Sequence, residues 1–178
     1  MRERAPEFLK GSERDFLKKA YETGFEYEKK AHFCAQCVVA ALEDLFDIKD
    51  ETLLRAAYPL SGGFGSTTEG TCGALSGGAM IVGYFFGRDK EEFKEGISNR
   101  KAPYLTKLLY EKFSEKYGSC ICKNVQKKIF GRSFNFWDEK DREEFEEAGR
   151  HEKKCPSVVA DVCFWTAKII YDEICSNK

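Results

Sequence analysis

The chain has 178 residues, of which 42% are hydrophobic, and its basic and acidic residues nearly cancel to a net charge of −1. This length and apolar fraction suit one domain with a sizeable core, and the balanced charge favours neither a nucleic acid nor an anionic membrane as partner. The N-terminus is charged and lacks an apolar signal segment, and the longest apolar stretch, near residues 80–86, is too short to cross a bilayer. We therefore expect a cytoplasmic protein.

Apolar residues recur at helical spacing through most of the chain, and no stretch has the alternation of a strand. The predicted helices cover residues 12–30, 33–46, 49–58, 72–86, 104–117, 120–130 and 157–174. Neither Gly24 nor His32 decisively separates the first two predicted helices, so these helices could be continuous. Residues 132–154 are polar with scattered aromatics, and we expect a partly ordered excursion over the surface. The predicted fold is all-α, a compact single-domain bundle of roughly six helices over residues 1–178, with residues 1–11 as a flexible N-terminus.

The most distinctive stretch is a glycine-rich loop, residues 61–70, that leads into a buried central helix of small and apolar residues. Thr71 is the expected N-cap, which places Cys72 in the first helical turn. Free backbone N–H groups and the helix dipole favour thiolate there. Gly73 and Gly77 would let another helix or a cofactor approach the backbone closely. We expect this helix to be the most buried one; the alternative is tight helix packing around an inert Cys72.

Eight cysteines are many for a cytosolic chain: Cys34, Cys37, Cys72, Cys120, Cys122, Cys155, Cys163 and Cys175. A secreted disulfide scaffold fits a large helical chain poorly, so metal binding or redox chemistry is the better expectation. Cys34 and Cys37 form a CxxC motif on one helix face. Three further groups fall at predicted helix starts: Cys72, the pair Cys120 and Cys122, and Cys155. This shared position is the strongest indication, from the residues themselves, of a common site.

Histidine is scarce, so a metal site would have to be built mainly from sulfur. His32 and His151 are the two histidines of the chain. We expect His32 on a helix surface beside the core and His151 in a solvated loop. On the last predicted helix, Cys163 is expected in the core and Cys175 near a fraying end.

These motifs resemble a family of redox-active proteins that is named for its cysteine pattern, C, GCAxxG, C, C. The matching segments are FCAQCVVAAL with Cys34, GTCGALSGGAMIVGYFFG with Cys72, GSCIC with Cys122, and CPSVVADV with Cys155. The resemblance covers roughly residues 16–170, and it departs from the label in placing Gly73 between Cys72 and the alanine. The family is also similar to the cysteine-bearing part of split-Soret cytochromes, which implies an iron–sulfur centre. The haem-binding part of those proteins has no counterpart here, so the resemblance implies a redox site more than a particular reaction.

The first functional hypothesis is a redox protein with a cysteine-ligated metal or iron–sulfur centre, active in electron transfer or redox sensing. Its cofactor and metal ligands would be Cys34, Cys72, Cys122 and Cys155, and we expect their sulfurs to converge. Four thiolates are the usual ligands of a [2Fe–2S] or [4Fe–4S] cluster, and they also bind structural zinc. The expected partner is a redox protein or a small redox molecule. A homo-oligomer is compatible with the sequence, and whether the protein is an enzyme is left open.

Two other hypotheses compete with this one. In the second, the protein carries no metal and exchanges thiols and disulfides through Cys34 and Cys37 or through Cys120 and Cys122. The absence of a thioredoxin-like βαβ pattern counts against ordinary oxidoreductase chemistry. In the third, the protein is a non-redox helical binding module whose cysteines belong mostly to the core.

Overall fold

The computed structural model describes residues 11–176. The helices in this range are α1 (Glu13–Ala31), α2 (Cys34–Phe46), α3 (Glu51–Ala57), α4 (Gly73–Phe86), α5 (Lys90–Lys94), α6 (Lys101–Tyr117), α7 (Cys122–Phe130), α8 (Glu139–Glu147) and α9 (Cys155–Ser176). A 3-10 turn (Tyr58–Leu60) follows α3, and a π-helical turn (Arg150–Lys154) precedes α9. Within the described range, β-type pairing is limited to one isolated bridge between Thr71 and Ile121.

The predicted all-α class is confirmed, but the predicted count of roughly six helices is wrong. The described range holds nine α-helices, and the two that the predicted set lacks, α5 and α8, are short and stabilised locally. Asp89 and Asp138 each accept hydrogen bonds from backbone N–H groups in the first turn of these helices, as Asp50 does in the predicted α3. Such caps typically contribute about 1 kcal/mol each and can start a helix that has little apolar periodicity of its own.

The first two helices are separate, and the break between them consists of His32 and Phe33. Both residues have left-handed backbone conformations, with φ of 63° and 61°. A left-handed conformation costs a residue with a Cβ atom roughly 1–2 kcal/mol, so packing around the break must hold it in place. As a result Cys34 is the first residue of α2.

Helix α4 is central, since it packs against α2, α6 and α9, while α1 lies along α9. A Cβ atom built on Gly77 would lie 2.6 Å from the carbonyl oxygen of Ala35 in α2, so glycine permits this close packing. The prediction that α4 is the most buried helix is wrong. Nine of the 13 residues of α2 are buried, against seven of 14 in α4, whose second half includes the exposed Tyr84.

Residues 132–154 are more ordered than the partly ordered surface excursion that the sequence predicts. They contain α8 and the π-helical turn, and their side chains Phe134 and Phe145 are only 4% and 3% exposed. These two rings lie 4.8 Å apart, and each also packs against Phe130 of α7. The many acids of this segment hide the apolar pattern in the sequence, while the rings of Phe134 and Phe145 turn inward and Trp137 stays exposed.

Two further expectations concern the ends of the chain and membranes. The predicted flexible N-terminus, residues 1–11, lies outside the described residues except for Gly11. Between residues 11 and 176, no helix combines the length and the apolarity that crossing a membrane would need.

Candidate functional site

A single cavity of about 500 Å³ brings the predicted ligand residues together. Cys34, Cys72, Cys122 and Cys155 all line it. The chain separates these residues by up to 121 positions, so only the tertiary fold unites them. We call these four residues the cysteine wall.

Each member of the cysteine wall stands at the start of a helix. Cys34, Cys122 and Cys155 are the first residues of α2, α7 and α9, and Cys72 is the N-cap of α4. The predicted N-cap Thr71 is therefore wrong by one residue, because Thr71 is engaged in the bridge to Ile121. The start of α9 continues from the π-helical turn, and the N–H of Cys155 donates to the carbonyl of Arg150. In the first turn of α2, the N–H of Ala35 donates to Ser61 Oγ at 3.2 Å.

Three thiols of the wall, those of Cys34, Cys122 and Cys155, have pKa values that are raised instead of lowered at their helix starts. A hydrogen bond to Cys72, followed by burial, raises the pKa of Cys34 well above its usual value. Burial is the main reason that the pKa values of Cys122 and Cys155 are also raised. The hydrogen bond to Cys72 in the case of Cys34, and loss of hydration in the case of Cys122 and Cys155, thus favour the protonated thiols, and a bound cation would stabilise their thiolate forms.

Backbone hydrogen bonds fix Cys72 and Cys122 relative to each other, and a close approach of Gly73 accommodates Cys34. The backbone N–H of Cys72 donates to the carbonyl of Cys120 at 2.7 Å, and that of Cys122 donates to the carbonyl of Gly70 at 2.9 Å. These bonds flank the Thr71–Ile121 bridge and hold the starts of α4 and α7 side by side. A Cβ atom on Gly73 would lie 2.5 Å from Cys34 Sγ, so glycine at the position that departs from the family label makes room for a thiol of the wall.

The other cysteines lie away from the cavity surface. Cys37 is buried, and its thiol donates to the carbonyl of His32 at 2.7 Å and also bonds to Glu28. Cys163 is fully buried, as expected, and faces Gly24; Cys175 is exposed near the end of α9. Cys120 is half-buried and precedes α7. Throughout residues 11–176 the cysteines are free, without disulfides.

A polar group of four side chains forms another part of the cavity lining, and sequence reasoning missed it. The group consists of Glu28, His32, Arg150 and His151, and we call it the polar end. The Nδ1 atoms of His32 and His151 lie 2.6 Å apart and share one hydrogen bond. His151 is therefore not the solvated loop residue that the sequence predicts. The sequence signal for both histidines was their position close to a cysteine of the wall. His151 lies four residues before Cys155, and His32 lies two residues before Cys34.

Burial dominates the electrostatics of the polar end. It raises the pKa of Glu28 to about 7, although the hydrogen bond to Cys37 and the charge of Arg150 act in the opposite direction. It lowers the pKa of His32, and it lowers that of His151 to about 4, with Arg150 contributing in both cases. Both histidines are therefore neutral at pH 7, and Glu28 exchanges a proton near that pH.

Aromatic side chains border the cavity on the side of the glycine-rich loop. The rings of Phe33 and Tyr58 lie 4.6 Å apart, and Trp137 Nε1 donates to the carbonyl of Gly65 at 3.2 Å. Phe136 and Trp137 come from the segment 132–154, so this segment closes one side of the cavity.

Comparisons with known proteins concern all four residues of the cysteine wall. The sequence model of one protein family matches residues 32–169, a span that contains the complete cysteine wall. No curated protein and no solved structure matches the chain at a significant level. The match covers well over half of the chain and agrees with the resemblance carried by the cysteine motifs. The chain therefore belongs to the family described as "Putative redox-active protein (C_GCAxxG_C_C)".

Proposed function

We propose that the protein carries an iron–sulfur cluster on Cys34, Cys72, Cys122 and Cys155 and acts in electron transfer or redox sensing. The observation that carries this proposal is the meeting of four cysteines, each at the start of a different helix, on the surface of one cavity. Membership in a redox-active family supports the same chemistry.

The donor set suits a cluster better than a single ion. Among residues 11–176, no three histidine, cysteine or acidic side chains are placed to hold one metal ion. A cluster distributes four thiolates over several irons, so its ligands are spaced more widely than those of a zinc ion. The cavity of about 500 Å³ has room for such a group. Metal binding would also release the protons that burial keeps on the thiols.

When bound, an iron–sulfur cluster supplies a centre that accepts and releases electrons. The chain supplies the surroundings that tune it. The backbone N–H of Gly62 bonds to Cys34, and Gln126 Nε2 lies 3.7 Å from Cys122 Sγ. Hydrogen bonds to thiolate sulfur stabilise negative charge and so raise the reduction potential, whereas burial of the site limits access of water.

The test is metal analysis of protein prepared without air. We expect iron and acid-labile sulfide in the wild type and little of either in Cys72→Ser, because a hydroxyl is a poor ligand for a soft metal site. Cys37→Ser is the matched control, since Cys37 is a buried neighbour that does not line the cavity. Its iron content should equal that of the wild type. Stoichiometric zinc in place of iron, or full iron content in Cys72→Ser, would refute the proposal.

A second candidate is a metal-free dithiol, and one contact favours a particular pair for it. The thiols of Cys34 and Cys72 hydrogen-bond to each other, whereas the thiol of Cys37 is bound to the His32 carbonyl. The pair would therefore be Cys34 and Cys72 instead of either predicted pair, Cys34 and Cys37 or Cys120 and Cys122. Two thiols would lose two protons and two electrons to a disulfide substrate, which becomes two thiols. Metal-free anaerobic protein whose disulfide exchange requires Cys72 but not Cys37 would support this candidate.

A further inference from the structure

The cavity extends well beyond the cysteine wall, and its charged lining is mostly basic. Arg142 and Arg150 both line it, and among the described residues on its surface Glu28 is the one acid. Glu146 binds Arg150 through Nη2 at 2.5 Å, whereas none of the described carboxylates pairs with Arg142, which is exposed. The lining thus presents two guanidinium groups to whatever enters.

Three polar atoms at the polar end have no hydrogen-bond partner among the described residues. They are Glu28 Oε2, Arg150 Nε and His151 Nε2. The side chain of Glu28 belongs to a residue that is only 4% exposed, so water does not readily satisfy it. Buried polar groups are rarely left unpaired, because each costs about 1–3 kcal/mol. Arg150 Nε–H is a donor, and His151 Nε2 is one when His32 supplies the proton of the shared bond. Their position on one cavity indicates a ligand with acceptor atoms.

The remaining walls are flat and apolar. Phe136, Trp137 and Tyr58 border the cavity on the side of the glycine-rich loop, and Val158 and Ile129 contribute aliphatic surface. The volume of about 500 Å³ is shared with the cysteine wall, and the part beyond that wall combines apolar surface with a few placed polar groups, as small-molecule sites do.

The geometry points to a binding site, beside the cysteine wall, for a small organic carboxylate with an aromatic or apolar body. Its carboxylate accepts a hydrogen bond from Arg150 Nε and is attracted by Arg142, while its body packs against the aromatic walls. This assignment rests on the proposed redox function in that it names the class of molecule held next to the redox site.

Isothermal titration calorimetry of the full-length protein, prepared without air, tests the assignment with two probes. Benzoate carries the carboxylate, and benzamide has nearly the same shape without the charge. We expect benzoate to bind saturably and about tenfold more tightly than benzamide, because hydrogen bonds to charged groups are the stronger ones. Equal affinities, or no saturable binding of benzoate at millimolar concentration, would overturn the assignment.

Two variants locate the site. Arg150→Gln should weaken benzoate binding about tenfold. Arg142→Gln, an exposed change that leaves folding intact, should weaken it about threefold at low ionic strength. Arg14→Gln is the matched control, since Arg14 is exposed on α1 and does not line the cavity, and it should bind like the wild type. Benzoate affinity that is the same in Arg142→Gln, Arg150→Gln and wild type would overturn the site.

Iron content, measured on the same samples, separates this inference from the proposed function. Iron present with no benzoate binding refutes only the carboxylate site. Benzoate binding that depends on Arg150 in protein that never contains iron refutes only the cluster.

Discussion

Glu28 is the residue whose environment departs furthest from that of an ordinary surface acid. It is 4% exposed on α1, one of its oxygens has no partner among the described residues, and burial raises its pKa to about 7. The folded protein therefore holds this proton more tightly than the unfolded chain does. The contribution of protonated Glu28 to the free energy of unfolding is fully present below the ordinary pKa of 4.5, and it is lost as the pH rises from there to about 7.

Substitution of Glu28 by glutamine should remove the pH dependence that the Glu28 carboxyl gives to the free energy of unfolding. At pH 8 we expect Glu28→Gln to be more stable than the wild type by roughly 3 kcal/mol, and the difference should shrink toward zero near pH 4. Urea unfolding, followed by circular dichroism at several pH values, measures the difference directly.

Glu26→Gln is the control for this experiment, because Glu26 is an exposed acid on the same helix. Its effect should stay within about 0.5 kcal/mol at every pH. A Glu28→Gln protein that is less stable than the wild type at pH 8 would show that the ionised carboxylate is itself needed by the fold.

At the scale of helices, two glycines on different faces of α4 differ in the space around them. Gly77 faces α2, where an added Cβ would lie 2.6 Å from the carbonyl oxygen of Ala35. Gly83 is exposed, and a Cβ there would meet nothing within 4 Å. Glycine is therefore required by close packing at the first position and only lowers helix stability at the second.

The alanine variants at these two positions should change stability in opposite directions. Gly77→Ala gains helix propensity but forces α2 and α4 apart, so we expect a net loss of about 1–2 kcal/mol. Gly83→Ala should gain up to about 1 kcal/mol. The urea unfolding midpoints of the two variants and the wild type measure these changes in stability. A Gly77→Ala variant that is more stable than the wild type would show that α2 and α4 are not packed this closely.

Local sequence patterns predicted the helices that have strong periodicity and the cysteines that follow helix-start signals. They placed Cys72, Cys122 and Cys155 at or beside helix starts, and they predicted a helix from residue 33 but left open whether it continues from the first helix. The break before Cys34 contains neither glycine nor proline, and only tertiary packing keeps His32 and Phe33 at positive φ. The contact between His32 and His151 spans 119 residues, and no local pattern carries such a contact.

At the scale of the whole molecule, the cysteine wall joins the starts of α2, α4, α7 and α9. A group bound to all four would crosslink helices that are far apart in the chain. Ligands that bind only the folded state stabilise it by an amount that grows with the logarithm of their concentration relative to the dissociation constant. Under the proposed function, the cluster is therefore also a structural element.

Removal of the metal by an anaerobic chelator should lower the melting temperature of the wild type by roughly 10 °C. Cys72→Ser should melt at about the temperature of the chelated wild type and should not respond to the chelator. The measurement is thermal unfolding by circular dichroism with iron assayed before and after treatment. An iron-containing wild type whose melting temperature is unaffected by complete iron loss would contradict a crosslinking role.

The bridge between Thr71 and Ile121 divides the cysteine wall into two halves that are held by different means. Cys72 and Cys122 are kept together by main-chain bonds that do not involve their thiols. Cys34 and Cys155 instead follow two segments that are linked through the imidazoles of His32 and His151. Oxidation of the Cys72 or Cys122 thiol therefore leaves the bonds between the starts of α4 and α7 intact. A change at either imidazole, in contrast, acts directly on the link between the segments that precede Cys34 and Cys155.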